Sequence, residues 1–183
     1  HDPDEYLATA GNDSELRMKL YSDILGAYKV LFELKKSDSS ISIGVGAKDW
    51  KIIREISKNI DLDWAMFDNS LTLFSHPREL VSFMTELHTK GVTIINSAVF
   101  NAGFLTGGNY FNYRLINKED PENGKLFKWR DSFLKICNDY SVSPSHACIR
   151  FGMSHPAIAS VALNTSNPDH VKRNVREVQN EVP

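Results

Sequence analysis

The chain has 183 residues, 42% of them hydrophobic and 24% charged, with a net charge of -2. These values fit one globular domain with a sizeable core. They exclude a global basic field for nucleic acid, and no apolar run approaches the ~20 residues of a membrane span.

Two cysteines, Cys137 and Cys148, carry no CxxC or Cys/His spacing. Two free thiols of a cytoplasmic protein are expected. His1, His76, His88, His146, His155 and His170 are scattered, and no pair has metal-ligand spacing with a carboxylate in place, so no metal is expected.

The string "HDPDEYL" opens the chain. Next, "LGAYKVLFELKK" places Ala27, Val30, Leu31 and Leu34 on one helical stripe. "ISIGVG" (Ile41 to Gly46) reads as the first of four β-rich runs. "KDWKIIREISKNI" predicts a helix with Trp50, Ile53 and Ile56 on its apolar face and Asp49 as N-cap. "DWAMFD" (Asp63 to Asp68) is the second strand. "SHPRELVSFMTELHTKG" is the clearest helix: Pro77 in its first turn, Leu80, Phe83, Met84 and Leu87 on its face, Gly91 at its stop. "GVTIINSAVF" (Gly91 to Phe100) is the third strand. "GKLFKWRDSFLKICNDY" gives an apolar face of Leu126, Trp129, Phe133 and Cys137, and Pro144 restarts a shorter helix. "IASVAL" (Ile158 to Leu163) is the fourth strand, and "NPDHVKRNVREVQ" a closing amphipathic helix.

Three of the strands are nearly continuous apolar runs, as in parallel sheets buried on both faces. Alternation of strand and helix predicts an α/β fold with right-handed crossovers. The longest irregular stretch, "GGNYFNYRLINKEDPENG", follows the third strand. It therefore lies on the carboxyl side of the sheet, where loops carry function. These observations leave barrel and doubly wound sheet both open.

"IGVGAKDW" holds Gly44 and Gly46 but Asp49 at the third glycine position, so the Rossmann fingerprint is absent. Walker A, HExxH and GxSxG are absent too. "INSAVFNAGFLTGG" ends a strand with Asn96 and Ser97 and continues through Asn101, Gly103, Gly107 and Gly108. Such residues suit close approach of a phosphorylated ligand to backbone N–H donors, or an ordinary surface loop. In "LNTSNPDHVKRNV", Thr165, Ser166 or Asn167 can cap a helix starting at Pro168, which is either an anion site or a plain cap.

Together these strings resemble the aldo/keto reductase family. "GVTIINSAVFNAGFLTGG" is similar to its seventh barrel strand and cofactor loop, and "HPAIASVALNTSNPDHVKRNV" to its eighth strand and closing helix. "SISIGVGAKDW" resembles the fifth strand, and "HDPDEYL" the end of the fourth. The closest branch is that of sugar 1-dehydrogenases acting on D-threo-aldoses, L-fucose or L-galactose. The resemblance implies strands four to eight of a (β/α)8 TIM barrel, as one partial domain over residues 1–183. It also implies NAD or NADP as cofactor and hydride transfer to or from a sugar or carbonyl carbon.

Of the family's Asp, Tyr, Lys and His, the resemblance places His1 here and the others upstream. It assigns Asn96, Ser97, Val99, Gly103 and Leu105 to the nicotinamide and pyrophosphate. It assigns Ser166, Lys172 and Asn174 to the adenosine and its 2′-phosphate. Asn96 stands where many members have a stacking Tyr. Gly46 and Ala47 replace a carboxamide-holding Ser-Asn, and Asp68 or Asn69 stands near a usual Gln. A small-molecule partner is implied, with no nucleic acid or membrane. Half a barrel leaves open sheet edges, so a missing amino-terminal half and an inactive fragment are expected. The alternative is a non-catalytic regulatory barrel that binds nicotinamide nucleotides; an unrelated barrel lyase is a third.

Overall fold

The computed structural model describes residues 2–179. Two helices lead, α1 (Pro3–Ala8) and α2 (Ser14–Ser37). Alternation follows: β1 (Gly44–Ala47), α3 (Trp50–Ile56), β2 (Trp64–Asp68), α4 (Arg78–Thr89) and β3 (Thr93–Ser97). A loop with a 3-10 turn leads to a hairpin of β4 (Tyr110–Phe111) and β5 (Arg114–Leu115). Then come α5 (Gly124–Asp139), α6 (Pro144–Met153), β6 (Ile158–Ala162) and α7 (Pro168–Gln179).

The four strands predicted from sequence pair in parallel in the order β1-β2-β3-β6. A register shift at Ile94/Ile95 bends the last pairing. Ala65, Phe67 and Ile94 turn one face onto the helices and are wholly buried. They meet Ile53 and Ile56 of α3 and Leu80, Phe83, Met84 and Leu87 of α4. Each such side chain contributes about 2 kcal/mol of burial. The predicted faces of α3 and α4 are therefore the observed ones, and Asp49 caps α3 by accepting from the Lys51 N–H at 2.9 Å.

The other sheet face differs from the expectation of burial on both sides. Trp64, Met66 and Ile95 there are only half-buried. Gly44 is required on this face, because a Cβ on it would lie 2.1 Å from the Trp64 ring.

Helix α2 corrects the predicted stripe. Val30, Leu31 and Leu34 are 62%, 41% and 50% exposed, while Leu20 and Tyr28 are buried, flanked by Tyr21, Ile24 and Phe32. Three polar contacts fix that rotation. Tyr28 donates to the Gly44 carbonyl at 3.0 Å, Lys35 reaches both Asp63 oxygens, and Arg17 forks onto Glu55. The periodicity was shared by two faces, and these contacts select the one with tyrosines.

A second core lies beyond β3. Phe104 packs edge-to-face on both Phe111 and Phe127, with centroids 5.3 Å apart in each pair. Val99 and Ile149 seal this core.

Candidate active site

A cavity of about 690 Å³ opens at the carboxyl ends of the strands. Asp68 comes from β2, Ser97 from β3, Gly103 and Thr106 from the following loop, and Arg173 and Asn174 from α7. The loop is bent by four left-handed residues in near succession: Ala98, Asn101, Ala102 and Gly103. Three of these lack glycine's freedom, so the surrounding packing must hold them.

Arg130 supplies part of that hold, and sequence reasoning missed it. Its Nη1 donates to the Gly108 carbonyl at 2.8 Å, and its guanidinium lies 4.7 Å and 4.6 Å from the Phe104 and Phe127 ring centroids. An arginine at helical spacing inside an aromatic run is the signal that could have pointed to it.

The loop was expected to offer backbone N–H donors to phosphate. The structure differs. The N–H groups of Asn101 and of every residue from Gly103 to Gly108 already donate to carbonyls between Ala98 and Phe104. Tight turning uses them internally, so side chains must do more of any anion binding here.

A smaller cavity of about 280 Å³ adjoins over β1, lined by Gly46, Lys48 and Met66. Asp68, Ser97 and Tyr113 border both spaces. Asp68 Oδ1 accepts from Ser97 Oγ at 2.8 Å and from the Tyr113 hydroxyl at 3.1 Å, and Asn69 donates to Oδ2 at 2.9 Å. Lys48, paired with Glu5, lies 5.1 Å from the Tyr113 ring centroid. Burial first, then the Asp68 charge, pushes the Tyr113 phenol up to about 12. It stays a neutral donor near neutral pH and does not serve there as a phenolate base.

The residues expected from sequence divide into three sets. Ser97, Gly103 and Asn174 line the large cavity together. Asn96, Val99 and Leu105 are buried behind it. Asn96 is wholly buried and donates to the carbonyls of Leu71 at 2.9 Å and Gly152 at 3.1 Å, tying loop to helix. Ser166 and Lys172 stand outside the lining, and Lys172 faces Asp169 at 3.6 Å. Asn167, one of the three candidate caps, accepts from the Asp169 N–H at 2.9 Å. His1 lies outside the described residues.

Asn174 is only 7% exposed, and its Oδ1 has no hydrogen-bond partner. Asn174 also lines the cavity, and a buried acceptor without a partner is costly, so a ligand donor is one way to satisfy it. Cys137 and Cys148 are free, as expected, and both are buried. Among the described residues no cluster of metal-ligating side chains occurs, and no helix is long and apolar enough to cross a membrane.

The model of the aldo/keto reductase family matches residues 1–183. The chain belongs to that family. It is 23% identical over 158 residues to pyridoxal 4-dehydrogenase of Microbacterium luteolum, a match covering 86% of this chain and 45% of that relative. It is also similar to a holo-form aldo-keto reductase of Bacillus halodurans, with a TM-score of 0.55 and 21% identity over 82% of this chain and 49% of that one. The chain thus spans about half the length of these relatives. Its sheet is part of an aldo/keto reductase (β/α)8 barrel, which settles barrel over doubly wound sheet.

Proposed function

We propose that the chain forms the nucleotide-holding part of an NAD- or NADP-dependent oxidoreductase acting on a sugar or other carbonyl compound. The single observation that carries this reading is the orphaned, buried Asn174 oxygen in the wall of the large cavity. The exocyclic amine of an adenine is a donor of the kind it lacks. Arg173 adds positive charge on the same helix for phosphate, so the residues present fit a nicotinamide dinucleotide.

When bound, that group supplies or accepts a hydride. The chain's own contribution is binding and orientation. Asn174 and Arg173 grip one end. Ser97 and Asp68 mark the other, where Tyr113 closes the wall as a neutral donor. The small cavity beside them offers Lys48 and Asp68 to the hydroxyls of a polar substrate. The name of the dehydrogenase relative adds an aromatic aldehyde, pyridoxal, to the candidates.

The proton donor and its partners belong, on this reading, to a further barrel half. Two unpartnered apolar faces support that half: Val30, Leu31 and Leu34 on α2, and Val171 and Val175 on α7. The sheet ends in β1 and β6, and α2 reaches β1 through the Tyr28–Gly44 bond.

Calorimetric titration of NAD+ and NADP+ into the full chain tests the reading. Binding without sugar oxidation is expected, and Asn174→Ala weakens it about tenfold, the size of one lost buried hydrogen bond. Equal affinity in wild type and Asn174→Ala would remove the supporting observation.

A further inference from the structure

The permanent positive charge in the wall of the large cavity is Arg173. Behind it stands a carboxylate that the nucleotide reading does not use. Glu177, one turn further along α7, places Oε1 3.9 Å from Arg173 Nε. Glu177 is 8% exposed. It is also held fast. Oε1 accepts from Ser143 Oγ at 2.9 Å and from Ser145 Oγ at 2.8 Å, both at the start of α6. Oε2 is buried without a hydrogen-bond partner. Ser145 itself lines the cavity, so the carboxylate lies one side chain behind the wall.

The carboxylate is buried while the Arg173 side chain is 50% exposed, so the pair is partly screened by water. Arg173 is therefore not a free cation facing the cavity. Its charge is offset from behind by a carboxylate that two hydroxyls prevent from swinging away.

NAD and NADP differ by a 2′-phosphate, which adds close to two negative charges. With the amides of Asn101 and of Gly103 to Gly108 committed to the loop, more of the discrimination between them falls to side-chain charge. We propose that Glu177 is a specificity-determining residue: by neutralising Arg173 it lowers the cavity's preference for a nucleotide carrying the 2′-phosphate. This rests on the nicotinamide-nucleotide reading of the cavity. Glu177 touches no ligand; it acts through Arg173.

The test is calorimetric titration of NAD+ and NADP+ into the full chain and its variants at low and high salt. Glu177→Gln keeps an oxygen for both serine hydroxyls but removes the charge. It is expected to tighten NADP+ relative to NAD+ by about three- to fivefold, the size of a partly screened ion pair. High salt shrinks that shift. Adding Arg173→Ala to Glu177→Gln cancels it. Ser143→Ala, which loses a hydroxyl bond to Glu177 but keeps the charge, lowers stability and leaves the NADP+/NAD+ ratio in place.

A ratio unchanged in Glu177→Gln overturns the proposal, as does a shift that survives removal of Arg173. A parallel loss of both affinities assigns Glu177 to holding α6 against α7 and also overturns it. Failure of the unsubstituted chain to bind either nucleotide is a different result: it removes the nucleotide reading itself, and this inference with it.

Discussion

The Tyr113 hydroxyl donates to Asp68 Oδ1 at 3.1 Å, bridging 45 residues of sequence between the β4–β5 hairpin and the end of β2. Ser97 donates to the same oxygen from β3, directly across the sheet register. One carboxylate thereby fixes two strand ends and the hairpin that covers them. The same three residues divide the large cavity from the small one.

The hairpin should therefore loosen when this bond is removed. Tyr113→Phe is expected to cost about 1 kcal/mol of closure, or about fivefold faster nucleotide release. Stopped-flow displacement of bound NADH or NADPH measures it. Release at the wild-type rate would show that the hairpin is held by Phe111 in the aromatic core instead.

Gly152 predicts a larger effect far from any ligand. A Cβ there would sit 2.6 Å from Val99 Cγ1 and 3.2 Å from Asn96 Nδ2. Both neighbours are wholly buried and cannot move aside cheaply. Gly152→Ala should destabilise the chain by about 2 kcal/mol through overpacking. Urea unfolding followed by circular dichroism reads this directly, and a change below ~0.5 kcal/mol would mean the loop after β3 yields freely.

How much of this was legible beforehand depends on how local the cause is. The strands, the faces of α3 and α4 and the Asp49 cap follow from spacing along the chain. Arrangement at the site does not. Asn96 and Ser97 are neighbours in a string that looks uniformly suited to a ligand, yet strand alternation sends Asn96 into the packing and Ser97 to the cavity. Glycines after β3 advertise free amides, but the loop's own turns use them. The Asp68–Tyr113 bond and Glu177 behind Arg173 are pairings across elements, which no periodicity encodes.

Alkaline pH should act through Tyr28. Burial pushes its phenol from 10.0 up to about 12 in the folded chain. The folded state therefore keeps its proton where the unfolded state has released it. Stability from this group is full below pH 10 and is lost as pH rises toward 12. Tyr28→Phe should flatten part of that decline, with Tyr113 and the buried Cys148 thiol, both also pushed up to about 12, contributing to the remainder. Thermal melts at pH 9, 10 and 11 provide the comparison. An identical slope in wild type and variant would assign the alkaline loss to other groups.

The exposed face of α2 makes the last prediction. Val30, Leu31 and Leu34 form a contiguous apolar strip, and Met18 on the same helix is 65% exposed. The buried side of α2 is independently anchored through Tyr28, Lys35 and Arg17. The strip is therefore not needed to hold the helix in place. Exposed apolar patches of this kind drive association in water. The 183-residue chain should self-associate, and the double substitution Val30→Lys, Leu34→Glu should reduce this. Sedimentation velocity would show the shift toward monomer, while far-ultraviolet circular dichroism stays constant. If helicity is lost instead, the strip contributes to folding of α2 itself; if neither changes, association runs through the strand edges alone.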